Sequence, residues 1–294
     1  MTSHHHRAGD DHHADDSAAD PFDWDHRGEQ LEREAELDLG WIEQVLEWLA
    51  AAPGVVEHAV DLGSGPGVAA SALATAFPGA TVTAVDGSRA LLDRALARAE
   101  RMGLGGRVRA LQHDLAESLV AIPRADVLWI SRVLHHLPDP AAALAALHDR
   151  LRPGGRIVVV EGGLPARWAP EDLGFGRPNL QARLDVAQGD ALHSLPGHQG
   201  IRPGTDWAAL LRAAGFSEVA TRSWLVDLPA PAPDAVRAHV HDRLALTRDR
   251  LGPYLQPDDL AAVDRLVDPA DPLGVARRPD LFWLFAQTVH TGRA

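Results

Sequence analysis

The sequence predicts an α/β fold, and three stretches carry that expectation. Val60 to Gly67 begins as an apolar run and turns sharply into the helical run Val68 to Phe77, with glycines where the backbone bends and comes close to a ligand. Thr81 to Val85 is a second short apolar run that ends on Asp86, about where a βαβ unit places an acid on a ribose. Far along the chain, Leu281 to Val289 reads as a buried strand that pairs with Val219 to Leu228. The first two stretches together predict a nucleoside-containing cofactor.

The glycine spacing bears on which cofactor. A dinucleotide fingerprint needs G-x-G-x-x-G, whereas here Gly63 and Gly65 are followed by Gly67, and Val68 stands where the third glycine belongs. Asp61 lies just before the turn, so a carboxylate faces the region a pyrophosphate would fill, and anion against anion is unfavourable. A cofactor with a cationic end fits better.

This segment resembles motif I of the class I S-adenosylmethionine-dependent methyltransferases, and further landmarks follow in the family's order. Asp86-Gly87-Ser88 resembles the acidic position after the second strand, which in the family takes both ribose hydroxyls. His113-Asp114-Leu115 resembles the adenine site, with the acid accepting from the exocyclic amine. Asp126 to Leu137, which includes Ser131, Arg132, His135 and His136, resembles the fourth strand and the loop beneath the methionine moiety. Leu151 to Glu161 resembles the turn into the fifth strand, and Asp206 to Phe216 the helix before the sixth. The resemblance implies S-adenosyl-L-methionine as cofactor and a seven-stranded, mostly parallel sheet of order 3-2-1-4-5-7-6, with strand 7 antiparallel and helices on both faces. The implied cofactor contacts are Asp61, Gly63, Ser64, Gly65, Gly67, Asp86, Gly87, Ser88, His113, Asp114, Leu115, Ser131 and Arg132.

Around this core, at residues 54–165, the chain divides further. Residues 1–20, scattered Asp, His, Ser and Ala, are expected to be a disordered tail whose histidines form no specific metal site. Residues 21–53 carry Leu31, Leu37, Trp41, Val45, Leu46, Trp48 and Leu49 at helical spacing and predict one or two amphipathic helices. The resemblance makes them a lid, with Phe22, Trp24 and Arg27 sealing the cofactor, whereas Trp41 and Trp48, seven apart, are expected to pack the helix on the sheet. Residues 166–204, rich in Gly and Pro, are expected to cover the substrate. Residues 205–228 and 280–294 complete the sheet, and 229–279 form a helical cap, a long helix through Val236, Val240 and Leu244 and a shorter one through Leu260 to Val267.

Composition narrows the function classes. The 294 residues are 46% hydrophobic with a formal charge of −13, which opposes nucleic acid as substrate because phosphates need a basic face. The arginines Arg94, Arg98, Arg101, Arg107 and Arg109 read as a solvated helix face and its exit. There is no cysteine, hence no disulfide framework, thiolate metal site or cysteine nucleophile. With no membrane-length apolar run and no signal-peptide pattern, the expectation is a cytoplasmic protein that engages neither membrane nor nucleic acid. Its expected partner is a small molecule, with a homodimer left open.

Methyl transfer from a sulfonium is an in-line displacement promoted by alignment and desolvation, and a base is needed only if the acceptor carries a proton. His135 and His136 follow the fourth strand, and because adjacent residues point different ways, one of them is expected to face the crevice. His193 and His198, in the covering segment, are further candidates to meet the substrate, and Glu161 is placed for a substrate amine or hydroxyl. Trp168, Trp207 and Trp224 either stack on a substrate ring or pack in the core. No metal-ligand constellation accompanies the histidines, so metal independence is expected. The sequence thus predicts an enzyme that methylates O, N or activated carbon of a small, partly apolar acceptor, a tailoring step of bacterial specialised metabolism. The alternatives are a non-catalytic S-adenosylmethionine-binding subunit and an NAD-dependent oxidoreductase.

Overall fold

The central strands of the sheet bury both faces, and their residues divide between two cores with period two. The computed structural model describes residues 28–51, 54–193 and 205–294, with Leu192 and His193 described in backbone only. Its strands are β1 (His58–Leu62), β2 (Thr81–Asp86), β3 (Val108–Gln112), β4 (Ala125–Ser131), β5 (Leu151–Arg167), β6 (Ser217–Leu228) and β7 (Trp283–Arg293). They form a single seven-stranded sheet in the order β3-β2-β1-β4-β5-β7-β6. The pairings from β3 to β5 are parallel, and β7 runs antiparallel to both β5 and β6. In β4, Val127 and Trp129 join one core, Leu128 and Ile130 the other; in β5, Val158 and Val160 oppose Ile157 and Val159 in the same way.

The helices are α1 (Gly28–Leu37), α2 (Leu39–Ala50), α3 (Val68–Ala76), α4 (Arg89–Arg101), α5 (Pro140–His148), α6 (Leu180–His193), α7 (Trp207–Ala213), α8 (Asp234–Leu251) and α9 (Pro257–Val267). Residues of α5 and α7 close one face, and those of α2, α3, α8 and α9 the other. Trp41 of α2 stacks on Trp129 of β4 with ring centroids 6.3 Å apart at 21°, and Trp48 packs on Trp224 at 5.5 Å, so both tryptophans pack the helix against the sheet. Two starts are capped as their sequences foretell: Ser88 accepts from the Leu91 amide, and Asp139, with Pro140 next to it, accepts from Ala142.

Three local readings are corrected. The arginine cluster is not a solvated face throughout: Arg98 is buried and bonds Glu36 at 2.6 Å, while Arg101 reaches Glu32 at 2.7 Å, tying α1 to α4. Arg107 donates to the carbonyls of Ala74 and Phe77. The glycines and proline after Glu161 break the alternation of a strand, yet β5 runs on to Arg167 through a register shift between Val160 and Gly163. There Gly163 has φ 126°, and a Cβ would collide with the Ala286 carbonyl, so the glycines that hid the strand are what lets it bend. Helix α6, within the segment expected only to cover the substrate, has a weak helical pattern because Leu180 and Leu184 are its lone deeply buried apolar pair among described side chains. Trp168, Trp207 and Trp224 are all buried core residues.

Among the described residues no helix is long and apolar enough to cross a membrane.

Candidate functional site

The carboxyl ends of β1, β2, β4 and β5 open onto a cavity of about 700 Å³, the place where open parallel sheets hold ligands. Its floor is the turn after β1. The amides of Gly63 and Ser64 both donate to the Val85 carbonyl (2.8 and 2.9 Å), which folds the turn against β2. Gly63, Gly65 and Gly67 all have positive φ (69°, 51° and 79°). A side chain at Gly63 would strike Val133 and one at Gly67 would strike Ala95, whereas Gly65 has nothing within 4 Å and faces open space.

Asp61 is the unusual group on that floor. It is buried, and its Oδ2 has no hydrogen-bond partner among the described residues. Burial, helped by the nearby Asp86 carboxylate and opposed by the Ala70 amide, pushes its carboxyl up to about 7. The hydroxyl of buried Ser64 is likewise without a partner. An orphaned carboxylate oxygen beside a bare glycine turn suits a ligand with a compact cation, so these residues fit the ammonium end of S-adenosylmethionine.

Asp86 also lines the cavity, accepting from the Gly65 amide through Oδ2 and the Ser88 amide through Oδ1, both at 2.9 Å. Ser131 and Arg132 line it too; Arg132 has φ 57° and pairs with Asp38 at 2.6 Å. Gly67, Gly87, Ser88, His113, Asp114 and Leu115 are not among its lining residues. Asp114 closes a local turn by accepting from Ala116, and the His113 ring bonds the Ser118 carbonyl. Trp24, Arg27, Phe22 and His198 lie outside the described residues, as does the side chain of His193.

The histidines depart from the expectation that one alone faces the crevice. A short 3-10 turn, Leu134–His136, brings the two rings together, tilted at 44° with centroids 3.9 Å apart, and both line the cavity. His135 Nδ1 lies 3.0 Å from Oε2 of Glu161, which is 2% exposed. Glu161, expected to meet a substrate amine or hydroxyl, lies within hydrogen-bond distance of His135 and also lines the cavity. Spacing along the chain gave no sign of Asp38, which sits between α1 and α2, accepts from Trp41 Nε1 at 2.9 Å and lines the same cavity. Its signal was an acid three residues before a core tryptophan in an otherwise apolar run. Among the described residues no group of three His, Cys, Asp or Glu is arranged to hold a metal.

Residues 60–157 match the family model described as a methyltransferase domain. Among curated proteins, the ubiquinone biosynthesis O-methyltransferase of Azotobacter vinelandii is 33% identical over 137 residues, covering 46% of this chain and 55% of the relative. The release factor glutamine methyltransferase of Bordetella pertussis is 39% identical over 142 residues, covering 44% of this chain and 49% of the relative. The chain therefore spans about half the length of these relatives. A solved structure described as a methyltransferase from Bacillus halodurans covers 85% of this chain and 97% of its own at a TM-score of 0.50 and 19% identity, a likeness of fold. The strand order and the family match agree: residues 60–157, which contain the motif turn, are similar to a methyltransferase domain.

Proposed function

We propose that the protein transfers a methyl group from S-adenosyl-L-methionine to a small, partly apolar acceptor, and that His135, held by Glu161, takes the acceptor's proton. The observation that carries this reading is the unpaired, buried Asp61 carboxylate on the floor of a cavity that also contains the His135–Glu161 pair. Asp61 would hold the ammonium, Asp86 the ribose hydroxyls, and Ser131 and Arg132 the wall beside the methionine chain. Once bound, the cofactor supplies a methyl group activated by its sulfonium.

The chain's own task is alignment and one proton. With Glu161 accepting the Nδ1 hydrogen, the ring keeps the tautomer whose Nε2 carries the lone pair. When Nε2 takes a proton, the buried carboxylate stabilises the imidazolium beside it. A base of this kind favours an acceptor atom that carries a hydrogen, such as a hydroxyl, and one relative is named for O-methylation. The arginine-only basic composition supports a place in the specialised metabolism of a GC-rich bacterium.

Calorimetry with S-adenosylmethionine, followed by detection of S-adenosylhomocysteine in the presence of acceptors, tests the reading. His135→Ala is expected to lower turnover at least 100-fold with cofactor affinity unaltered. Absence of cofactor binding would overturn the proposal, and full turnover in the variant would remove His135 as base.

A further inference from the structure

A second cavity, of about 370 Å³, lies between α1, α8, the far end of β5 and β7. It shares Glu34, Asp38, Arg132 and Gln287 with the cofactor cavity, so the two meet along the Asp38–Arg132 ion pair. Its character is different. Trp283 and Phe285 of β7 form an aromatic wall with ring centroids 5.7 Å apart, and Leu164 of β5, 65% exposed, adds an apolar surface beside them.

Polar atoms set into this wall lack hydrogen bonds. The Nδ1 of His239, the Nε1 of Trp283 and the Oε1 of Gln287 are all buried and make no hydrogen bond among the described residues. One such atom is tolerable; three on residues lining one cavity point to a ligand that satisfies them. Burial and the nearby Arg243 charge push the His239 imidazole down to about 4, so it faces the cavity as a neutral ring, edge-on to Trp283 at 4.9 Å.

On α8, His239, Arg243 and Leu246 recur at i, i+4 and i+7 and present one face to the cavity. Arg243 is the exposed cation of that face, and it forms no ion pair among the described residues, whereas Arg132 is committed to Asp38. Glu34, the other acid of the wall besides Asp38, lies 3.8 Å from His239 and accepts from Gln30, at the α1 side.

We propose that this compartment is the acceptor site and that it takes a hydroxylated aromatic carboxylate, its ring on Trp283 and Phe285, its carboxylate on Arg243 and its hydroxyl toward Gln287. The assignment rests on the methyltransferase reading. Gln287 belongs to both cavities, so a hydroxyl there stands at the boundary with the space that contains His135. The carboxylate stays at the solvated rim, where an anion is not stripped of water.

The probe is 6-hydroxy-2-naphthoate, whose hydroxyl and carboxylate sit at opposite ends of a flat ring system; 2-naphthol lacks the carboxylate. Both are titrated calorimetrically into the full-length protein, with and without saturating S-adenosylhomocysteine. The expected result is at least tenfold tighter binding of the naphthoate, a preference that Arg243→Ala abolishes and Arg243→Lys largely restores, with S-adenosylhomocysteine affinity unchanged in both variants. Equal binding of the two probes, no binding of either, or a preference that survives Arg243→Ala overturns the assignment. Failure of S-adenosylhomocysteine to bind would bring down the methyltransferase reading instead, and the titrations without it separate the two outcomes.

Discussion

Replacing Asp61 with asparagine should make the ligand-free protein more stable while weakening its grip on the cofactor. The Asp61 carboxyl is raised from 3.8 to about 7 by burial and by Asp86, so this group's contribution to stability is complete below pH 3.8 and is lost as pH rises through 7. A difference of about three units at about 1.36 kcal/mol each means that the buried carboxylate destabilises the native state by about 4 kcal/mol at pH 8. Asparagine carries no charge there, but its amide would leave a buried donor unpaired, which returns about 1–2 kcal/mol of that gain. The net is about 2–3 kcal/mol, or roughly 3–6 °C of thermal midpoint for a chain of this size. Thermal denaturation of both proteins without ligand, at pH 8 and pH 5, reads the effect. At pH 5 the native carboxyl already holds its proton, so the advantage of the variant should vanish or reverse. A variant no more stable than the parent at pH 8, or equally favoured at both pH values, would refute the claim that Asp61 is a buried charge awaiting a cation.

Other consequences follow from the same geometry. Because the ammonium pairs with the ionised form of Asp61, S-adenosylhomocysteine affinity should fall about 25-fold between pH 7.5 and 5.5, with close to one proton released on binding at pH 6, measured by calorimetry in buffers of different ionisation enthalpy; a flat profile would contradict the raised carboxyl. Asp86→Ala removes the acceptor that holds the Gly65 and Ser88 amides and faces the cavity, and should weaken cofactor binding by about 1–3 kcal/mol. Unchanged affinity would remove its ribose role. Trp41→Ala deletes a ring that is 1% exposed and stacked on Trp129, with an expected loss of about 3–5 kcal/mol in chemical denaturation.

What the sequence made legible was what local pattern controls. The β1 turn is written in consecutive residues, since an apolar strand, an acid and three spaced glycines admit few backbone paths. The seven-stranded order came with the family resemblance rather than with the pattern, and the structure reproduces it. The extended end of β5 was hidden because Gly162 and Gly163, with Leu164 and Pro165 exposed, break the alternation that marks a strand, although the backbone keeps its pairing to β7. The second cavity was equally hidden: Trp283 and Gln287 read as residues of a buried strand, and nothing in a strand's own pattern shows which polar atoms its neighbours leave unpaired.

The His135–Glu161 pair lies between these extremes. The two residues are 26 positions apart, and each alone is an ordinary residue after a strand. Their meeting follows from register. Ser131 and Val160 stand opposite each other on β4 and β5, so the residue after Val160 emerges at the same sheet edge as the turn that follows Ser131. The 3-10 turn then brings His135 back over that edge, where Glu161 is too deeply buried to be solvated and gains most by accepting a hydrogen bond. Parallel order predicts that the ends of β4 and β5 share a crevice; it takes the register and the tightness of one turn to bring the acid to the histidine. Glu161→Gln tests whether the acid serves the histidine, because an amide can still accept the Nδ1 hydrogen but cannot offset the imidazolium charge. Turnover in that variant should fall while cofactor affinity holds; undiminished turnover would return Glu161 to the substrate.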